Sequence, residues 1–239
     1  MGQFSTENCD KALLKMKIAC MQPYFLPYIG YWQLINAVDE FVILDDVQYI
    51  TRGWINRNKI SNNGNDQWFT IPLEGANRNK KINELKICSP SIWLPKLKRT
   101  IEYNFKRSPN FDEGYQLLNT ISNCKTNDLK NFLVRSIKLI CEFLGIKNNI
   151  VLSSEISPKD KLKGQTRIIH ICKKLNASIY YNPLGGIELY KGEDFTNEGI
   201  ELNFIKTNSK SSFLNSILES IMIYSKNEIR DELNNFNLI

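Results

Sequence analysis

Two short apolar runs close to the N-terminus constrain this chain more than any other feature. Lys17-Ile18-Ala19-Cys20-Met21 is stopped by Gln22-Pro23, and Phe41-Val42-Ile43-Leu44 is closed by Asp45-Asp46. Apolar runs of this length without polar alternation read as strands covered on both faces. Tyr31 to about Val38 between them reads as a helix. Strand, helix and strand in so short a span make a βαβ unit, which sets the two strands parallel.

The rest of the chain continues this alternation after an interruption. From Val47 to about Lys86, short segments such as Gln67 to Ile71 and Ile82 to Ile87 are punctuated by Gly, Asn and aromatic residues, and read as two or three extra strands or hairpins. Helical patterns follow at Ile92 to Phe105, around Tyr115 to Ile121, and over about Asn127 to Leu144. The last has the clearest 3.6-residue period, with Asn127 as cap and Gly145 as stop. Ile150 to Leu152 is strand-like, Gln165 to Leu175 helical, Ala177 to Tyr181 and Leu202 to Ile205 strand-like. Phe213 to Tyr224 and Lys226 to Leu233 read as terminal helices. The expected class is α/β, a Rossmann-like three-layer fold with a mostly parallel sheet and a small β-rich insertion. Residues 16–239 form a single domain in this reading, with the insertion at about 47–90 and a helical segment at about 91–145. Residues 1–15 read as a leader or a disordered segment.

Composition bounds the function classes. The 239 residues, 42% hydrophobic and 23% charged, suit a globular domain with a full core. No run approaches the roughly 20 apolar residues of a membrane span, and no signal-like region precedes Met16, so the cytoplasm is the expected location. The net charge of +6 permits a nucleotide, an anionic surface or an acidic partner without choosing among them. No specific nucleic-acid partner is expected, because the basic stretches Arg78 to Lys86 and Lys96 to Arg107 lack interleaved aromatics and no recognition module accompanies them. Six cysteines, at 9, 20, 88, 124, 141 and 172, show no metal or disulfide spacing. With a single histidine, no resident metal site is expected. His170 sits inside an apolar helical stretch and reads as a packed residue.

Ligands of mostly parallel sheets lie beyond the carboxyl ends of the strands. That rule sends Gln22 to Gly30, Asp45 to Arg57 and Asn182 to Tyr190 to one rim. In the first segment, Pro23 and Pro27 stiffen the chain and push Gln22 and Leu26 towards extended geometry. Gly30 allows a close approach by a ligand or by backbone. Tyr24, Tyr28 and Tyr31 offer flat faces with hydroxyls, for a ligand or for a plug against the sheet. In the second, Asp45 or Asp46 could accept a proton, bind a hydroxyl or hold Mg²⁺, or serve as an acidic strand cap or partner of Arg52 or Arg57. Gln48 and Tyr49 add a polar wall. Arg52, Trp54, Asn56 and Arg57 combine forked donors, a stacking face and an amide, which suits a nucleotide-linked sugar and equally a loop pinned to its own protein. In the later segments, Arg167 calls for an acidic contact in the protein or a ligand, and Thr166 is a candidate cap. Gly185-Gly186 forms a turn with Tyr190 nearby. There is no GxSxG, HExxH, GxGxxG or Walker loop.

Met21-Gln-Pro-Tyr-Phe-Leu-Pro-Tyr-Ile-Gly-Tyr, Ala37-Val38-Asp39, Phe41 to Tyr49, Gly53-Trp54-Ile55-Asn56-Arg57-Asn58-Lys59-Ile60 and Trp68-Phe69-Thr70-Ile71-Pro72 closely resemble the WbqC-like protein family. The likeness resumes at Thr166-Arg167, Gly185-Gly186 with Tyr190, and Gly199-Ile200. It implies a bacterial protein of O-antigen, lipopolysaccharide or other surface-polysaccharide biosynthesis. The first loop also resembles, more weakly, the opening motif of nucleotidyltransferase-like α/β proteins through Phe25, Pro27, Gly30 and Asp39. Ile29 and Tyr31 stand where those enzymes carry histidines. The expected activity is therefore a transferase moving an acyl or aminoacyl group onto a nucleotide-linked amino sugar, with an acyl or aminoacyl donor or carrier protein as co-substrate. Asp45 or Asp46 would orient or deprotonate the amine, and Gln22, Tyr24, Tyr28, Gly30, Gln48, Arg52, Trp54, Asn56, Arg57, Arg167, Gly186 and Tyr190 would bind the substrate. Two alternatives remain: nucleotidyl transfer to a sugar phosphate, with Mg²⁺ as its cofactor, and a non-catalytic nucleotide-sugar binding protein. A homodimer could complete the site in any of the three.

Overall fold

In the computed structural model, residues 15–157 and 161–239 are described. The expected N-terminal leader lies outside them, apart from Lys15. β1 (Lys17–Met21), α1 (Ile29–Asn36) and β2 (Glu40–Ile43) form the βαβ unit, with Ala19 opposite Phe41 and Cys20 opposite Val42 in parallel register. The helix starts two residues before the sequence pattern does, because Ile29 and Gly30 are buried along with Tyr31 to Ile35.

Between β2 and the next strand of the main sheet the chain leaves that sheet. β3 (Arg57–Asn62) and β4 (Asn65–Thr70) make an antiparallel hairpin, and β5 (Leu73–Glu74) pairs with β6 (Lys86–Ile87). The hairpin turns at Asn63-Gly64, where φ is +51° and +80°. Positive φ at both central residues matches the twist of the flanking strands. The segment Ile82 to Ile87, expected as a strand, is a 3-10 turn at Ile82–Glu84 followed by the two residues of β6. Three helices follow, α2 (Pro90–Phe105), α3 (Phe111–Ser122) and α4 (Leu129–Leu144). The cap of α4 is Asp128 rather than Asn127: its carboxylate accepts from the Asn131 N–H at 2.7 Å. Gly145 ends the helix in the left-handed region at φ +77°, as its position after Leu144 suggested.

The chain then re-enters the sheet with β7 (Asn149–Leu152) and passes through α5 (Ser153–Ile156) and α6 (Gly164–Lys174) to β8 (Ile179–Pro183). α7 (Gly192–Thr196), β9 (Glu201–Thr207), α8 (Ile217–Ile223), α9 (Lys226–Glu232) and β10 (Phe236–Leu238) complete it. The strand order is β10-β9-β8-β1-β2-β7, parallel throughout except for β10 against β9. The fold is thus mixed α/β with a mostly parallel sheet and two small antiparallel pairs. The chain runs outward from β1 through β2 to β7, then returns to the other side of β1 at β8. Such a reversal opens a crevice at the carboxyl ends of the two central strands.

Both faces of the sheet are covered. Ala19, Phe41, Ile43 and Tyr181 face the larger core with α1, α4 and α8. Ile18, Cys20, Val42 and Tyr180 face a smaller one with Ile168, Ile171 and Cys172 of α6 and Phe195 of α7. The two sets alternate along each strand because successive strand side chains point to opposite faces. Among the described residues no helix is long and apolar enough to cross a membrane.

Candidate functional site

A cleft of about 1000 Å³ opens at the reversal point. Its floor comes from the carboxyl ends of β1 (Cys20, Met21, Gln22) and β8 (Asn182, Pro183), with Leu44 just past β2. The loop after β1 supplies Tyr24, Pro27 and Tyr28, the segment after β2 supplies Val47, Ile50 and Trp54, and the turn after β8 supplies Gly185, Gly186, Leu189 and Tyr190. The three rim segments do share one mouth. The lining is mainly apolar and aromatic with a few polar groups, the general character of small-molecule sites.

The loop after β1 has two sides. Phe25 and Leu26 are buried plugs, with Phe25 packing edge-on to Phe69 at 5.8 Å and against Phe132. Leu26 has φ +49°, not the extended geometry expected before Pro27. Tertiary hydrogen bonds override the local preference: its carbonyl accepts from Asn58 Nδ2 at 2.6 Å and from Ser216 Oγ at 3.0 Å. Tyr24 and Tyr28 line the cleft, whereas Tyr31 reaches it from a buried position and donates to the Gln22 carbonyl at 3.0 Å. Burial raises the Tyr24, Tyr28 and Tyr190 phenols above their usual value, so all three stay protonated donors at neutral pH. The close approach expected at Gly30 comes from the protein itself: a Cβ there would collide with the Tyr28 ring, and Gly30 does not line the cleft.

Asp45 and Asp46 do not line it either. Asp45 is 0% exposed, and its carboxylate accepts from the Ser154 N–H at 3.1 Å, Ser154 Oγ at 2.7 Å and Ser153 Oγ at 3.2 Å. It therefore joins β2 to the start of α5. Asp46 accepts from Ser153 Oγ at 2.5 Å, and both of its oxygens accept from Arg167 Nη2, at 2.6 and 2.7 Å. Its cationic partner is thus neither Arg52 nor Arg57. The acidic contact that Arg167 requires lies within the protein.

Arg167 lines the cleft although it is only 7% exposed. Its Nε is shut off from water and has no hydrogen-bond partner among the described residues. An unpaired buried donor of this kind costs about 1–3 kcal/mol, more when charged. Gly164 and Gln165, at the start of the same helix, also line the cleft, and the cap residue Lys163 contributes no side-chain bond to the first turn. Thr166 is the third helical residue and not the cap. Gly186 is buried because Asn182 Nδ2 sits where its Cβ would be. Cys20 is buried in the floor, and burial pushes its thiol well above the usual value, which removes it as a ready nucleophile.

The remaining expected binders divide. Trp54 lines the mouth, 41% exposed, stacked on Trp68 with ring centres 5.2 Å apart. Arg57 lies over the far ring, its guanidinium carbon 4.3 Å from the Trp68 centroid, and it donates to the carbonyls of Gly53 and Arg52. Its donors hold the loop that carries Trp54. Asn56 is a buried pin that accepts from Tyr49 Oη at 2.8 Å and donates to the Ile71 carbonyl at 2.8 Å. Arg52 and Gln48 are exposed outside the cleft, with Gln48 bridged to Lys81. Asn58, Lys59, Gln165 and Leu214 line the cleft without having been singled out in the sequence. Asn58 and Lys59 fall inside the family-like Gly53 to Ile60 stretch, whereas nothing local marks Leu214. Among the described residues no group of three or more His, Cys, Asp or Glu side chains could hold a metal.

Comparison with known proteins concerns the sequence. A sequence model of the WbqC-like protein family matches residues 22–230. An uncharacterized protein of Mycobacterium tuberculosis, Rv1507c, is 33% identical over 167 residues, covering 69% of this chain and 71% of that protein. No solved structure matches.

Proposed function

Because this chain belongs to the WbqC-like protein family, we propose that it acts in bacterial surface-polysaccharide biosynthesis, as a transferase that places an acyl or aminoacyl group on a nucleotide-linked amino sugar. The observation that carries this reading is the cleft at the reversal of strand order. An aromatic edge with Trp54, Tyr24 and Tyr28 meets a polar edge with Arg167 and the first turn of α6. A nucleotide-linked sugar needs both: a stacking face for the base, and directed donors for phosphate oxygens.

In the transfer, the sugar amine attacks the carbonyl carbon of an activated donor such as a thioester. The C–N bond forms, the C–S bond breaks, and the departing thiolate takes the amine proton. Neutral Tyr24, Tyr28 or Tyr190 hydroxyls would donate to the developing oxyanion. Asp46 contributes by fixing Arg167 rather than by deprotonating the amine, since its oxygens are engaged by Arg167 and Ser153. Among the described residues that line the cleft there is no carboxylate or imidazole, which favours one other reading, a non-catalytic nucleotide-sugar binding protein.

The test is a panel of nucleotide-linked amino sugars, each mixed with the protein and acyl or aminoacyl thioesters. Binding is followed by calorimetry and products by mass spectrometry. A new amide product supports the transferase. Binding without product selects the non-catalytic reading. Failure of every nucleotide sugar to bind removes both.

A further inference from the structure

Arg167 has one donor nitrogen paired within the protein and another left unpaired among the described residues. Nη2 is committed to both oxygens of Asp46, while Nε is buried without a partner among the described residues. The residue is 7% exposed and lies on the cleft wall, one position beyond the first turn of α6. That turn opens on the same cleft through Gly164 and Gln165, and its cap residue Lys163 makes no side-chain bond to it. The Gln165 side chain is drawn outward, accepting from the Lys191 N–H at 2.5 Å and donating to Asp194, so it does not fold back over its own helix.

We propose that Arg167 and the first turn of α6 form an oxyanion subsite that takes a phosphate or diphosphate group. The inference rests on the reading of the cleft as a nucleotide-sugar site and names the part of that ligand held here. A helix start gathers backbone N–H groups with no intrahelical acceptor, and the helix dipole makes that end favourable to anions. The guanidinium adds a charge-assisted donor whose direction is fixed by its bond to Asp46. Asp46 also balances the charge of Arg167, so the subsite selects by the directions of its donors more than by net charge. Asp46 is then a positioning residue, and Arg167 a ligand-binding one. With the phosphates at α6, the base reaches towards Trp54 and the sugar lies over the ends of β1 and β8.

Nuclear magnetic resonance on the full chain, labelled with ¹⁵N, tests this with inorganic pyrophosphate and, separately, a uridine diphosphate-linked amino sugar. Pyrophosphate is expected to shift the amide signals of Gly164, Gln165 and Thr166 and the Nε–H signal of Arg167. Arg167→Lys keeps a cation but loses the fork, and should raise the pyrophosphate dissociation constant at least about tenfold. Should that variant fail to fold, the shift map of the unaltered protein decides. Pyrophosphate that saturates the protein without moving these signals overturns the subsite. A nucleotide sugar that binds while α6 and Arg167 stay unperturbed also overturns it but leaves the cleft reading standing. If pyrophosphate binds at α6 and no nucleotide sugar binds at all, the subsite stands and the wider reading falls. No binding of either ligand removes both.

Discussion

The two walls of the cleft are built on opposite plans. The wall at α6 is polar and internally bonded: Asp46 holds Arg167, Ser153 holds Asp46, and Asp45 ties the same stretch to Ser154. The wall beside the hairpin is aromatic and partly open, with Trp54 41% exposed at the mouth and backed by its stacking on Trp68. The first spends its polar groups on one another and offers the ligand only what is left over. The second offers broad faces that tolerate different rings. A site made this way fixes the orientation of a charged group at one end and accepts variation at the other.

The largest expected effect comes from breaking the polar wall. Asp46→Ala leaves Arg167 buried without its partner, and removing one member of a buried pair destabilises by about 3–5 kcal/mol. Urea denaturation measures it. A loss below about 1 kcal/mol would mean that the pair is as weak as an exposed one and that the walls do not differ as described.

Trp54→Ala tests the aromatic wall and should separate binding from stability. Loss of a stacking face weakens binding of a nucleotide-linked sugar by about 1–3 kcal/mol, read by calorimetry. The melting midpoint should move little, since the residue is at the surface. Equal binding by the variant would assign the base to another part of the cleft.

The smallest effect concerns how the hairpin is moored. Glu219 of α8 accepts from the Ser61 N–H of β3 at 2.7 Å, and burial raises its carboxyl above the usual value. A raised carboxyl favours the folded state most below the unfolded value of about 4.5. That contribution is lost as pH rises through the folded value. The melting midpoint of the native protein should therefore fall, relative to Glu219→Gln, as pH increases above 4.5. Parallel pH profiles would show that the mooring does not depend on the charge of this residue.

The βαβ start and the α4 helix were legible because their signals are local. Unbroken apolar runs and a sustained 3.6-residue period name their own structure, and Gly145 marks its own helix end. β3 carries no strand signal of its own although Asn63-Gly64 announces its turn, because Arg57 to Asn62 is polar and lacks an apolar run. The apolar pattern of β8 runs two residues ahead of the strand itself, since Ala177 is buried without being strand, and the edge strand β10 has too few residues to show a period. The rim segments could be placed at one mouth from the fold class. The roles within them could not, because Asn56, Arg57 and Asp45 have side chains suited to ligands and spend them on Tyr49, Gly53 and Ser154.

By itself the sequence determined that parallel strands carry stiff, aromatic and polar loops at their carboxyl ends, since apolar runs, prolines and helix periods act over a few residues. Only the tertiary structure decided which of those side chains remain for a ligand. Asp46 meets Arg167 across 121 positions of chain, and Leu26 takes its backbone geometry from Asn58 and Ser216. A polar group's role depends on whether another group of the fold satisfies it first, and that partner lies far away in sequence.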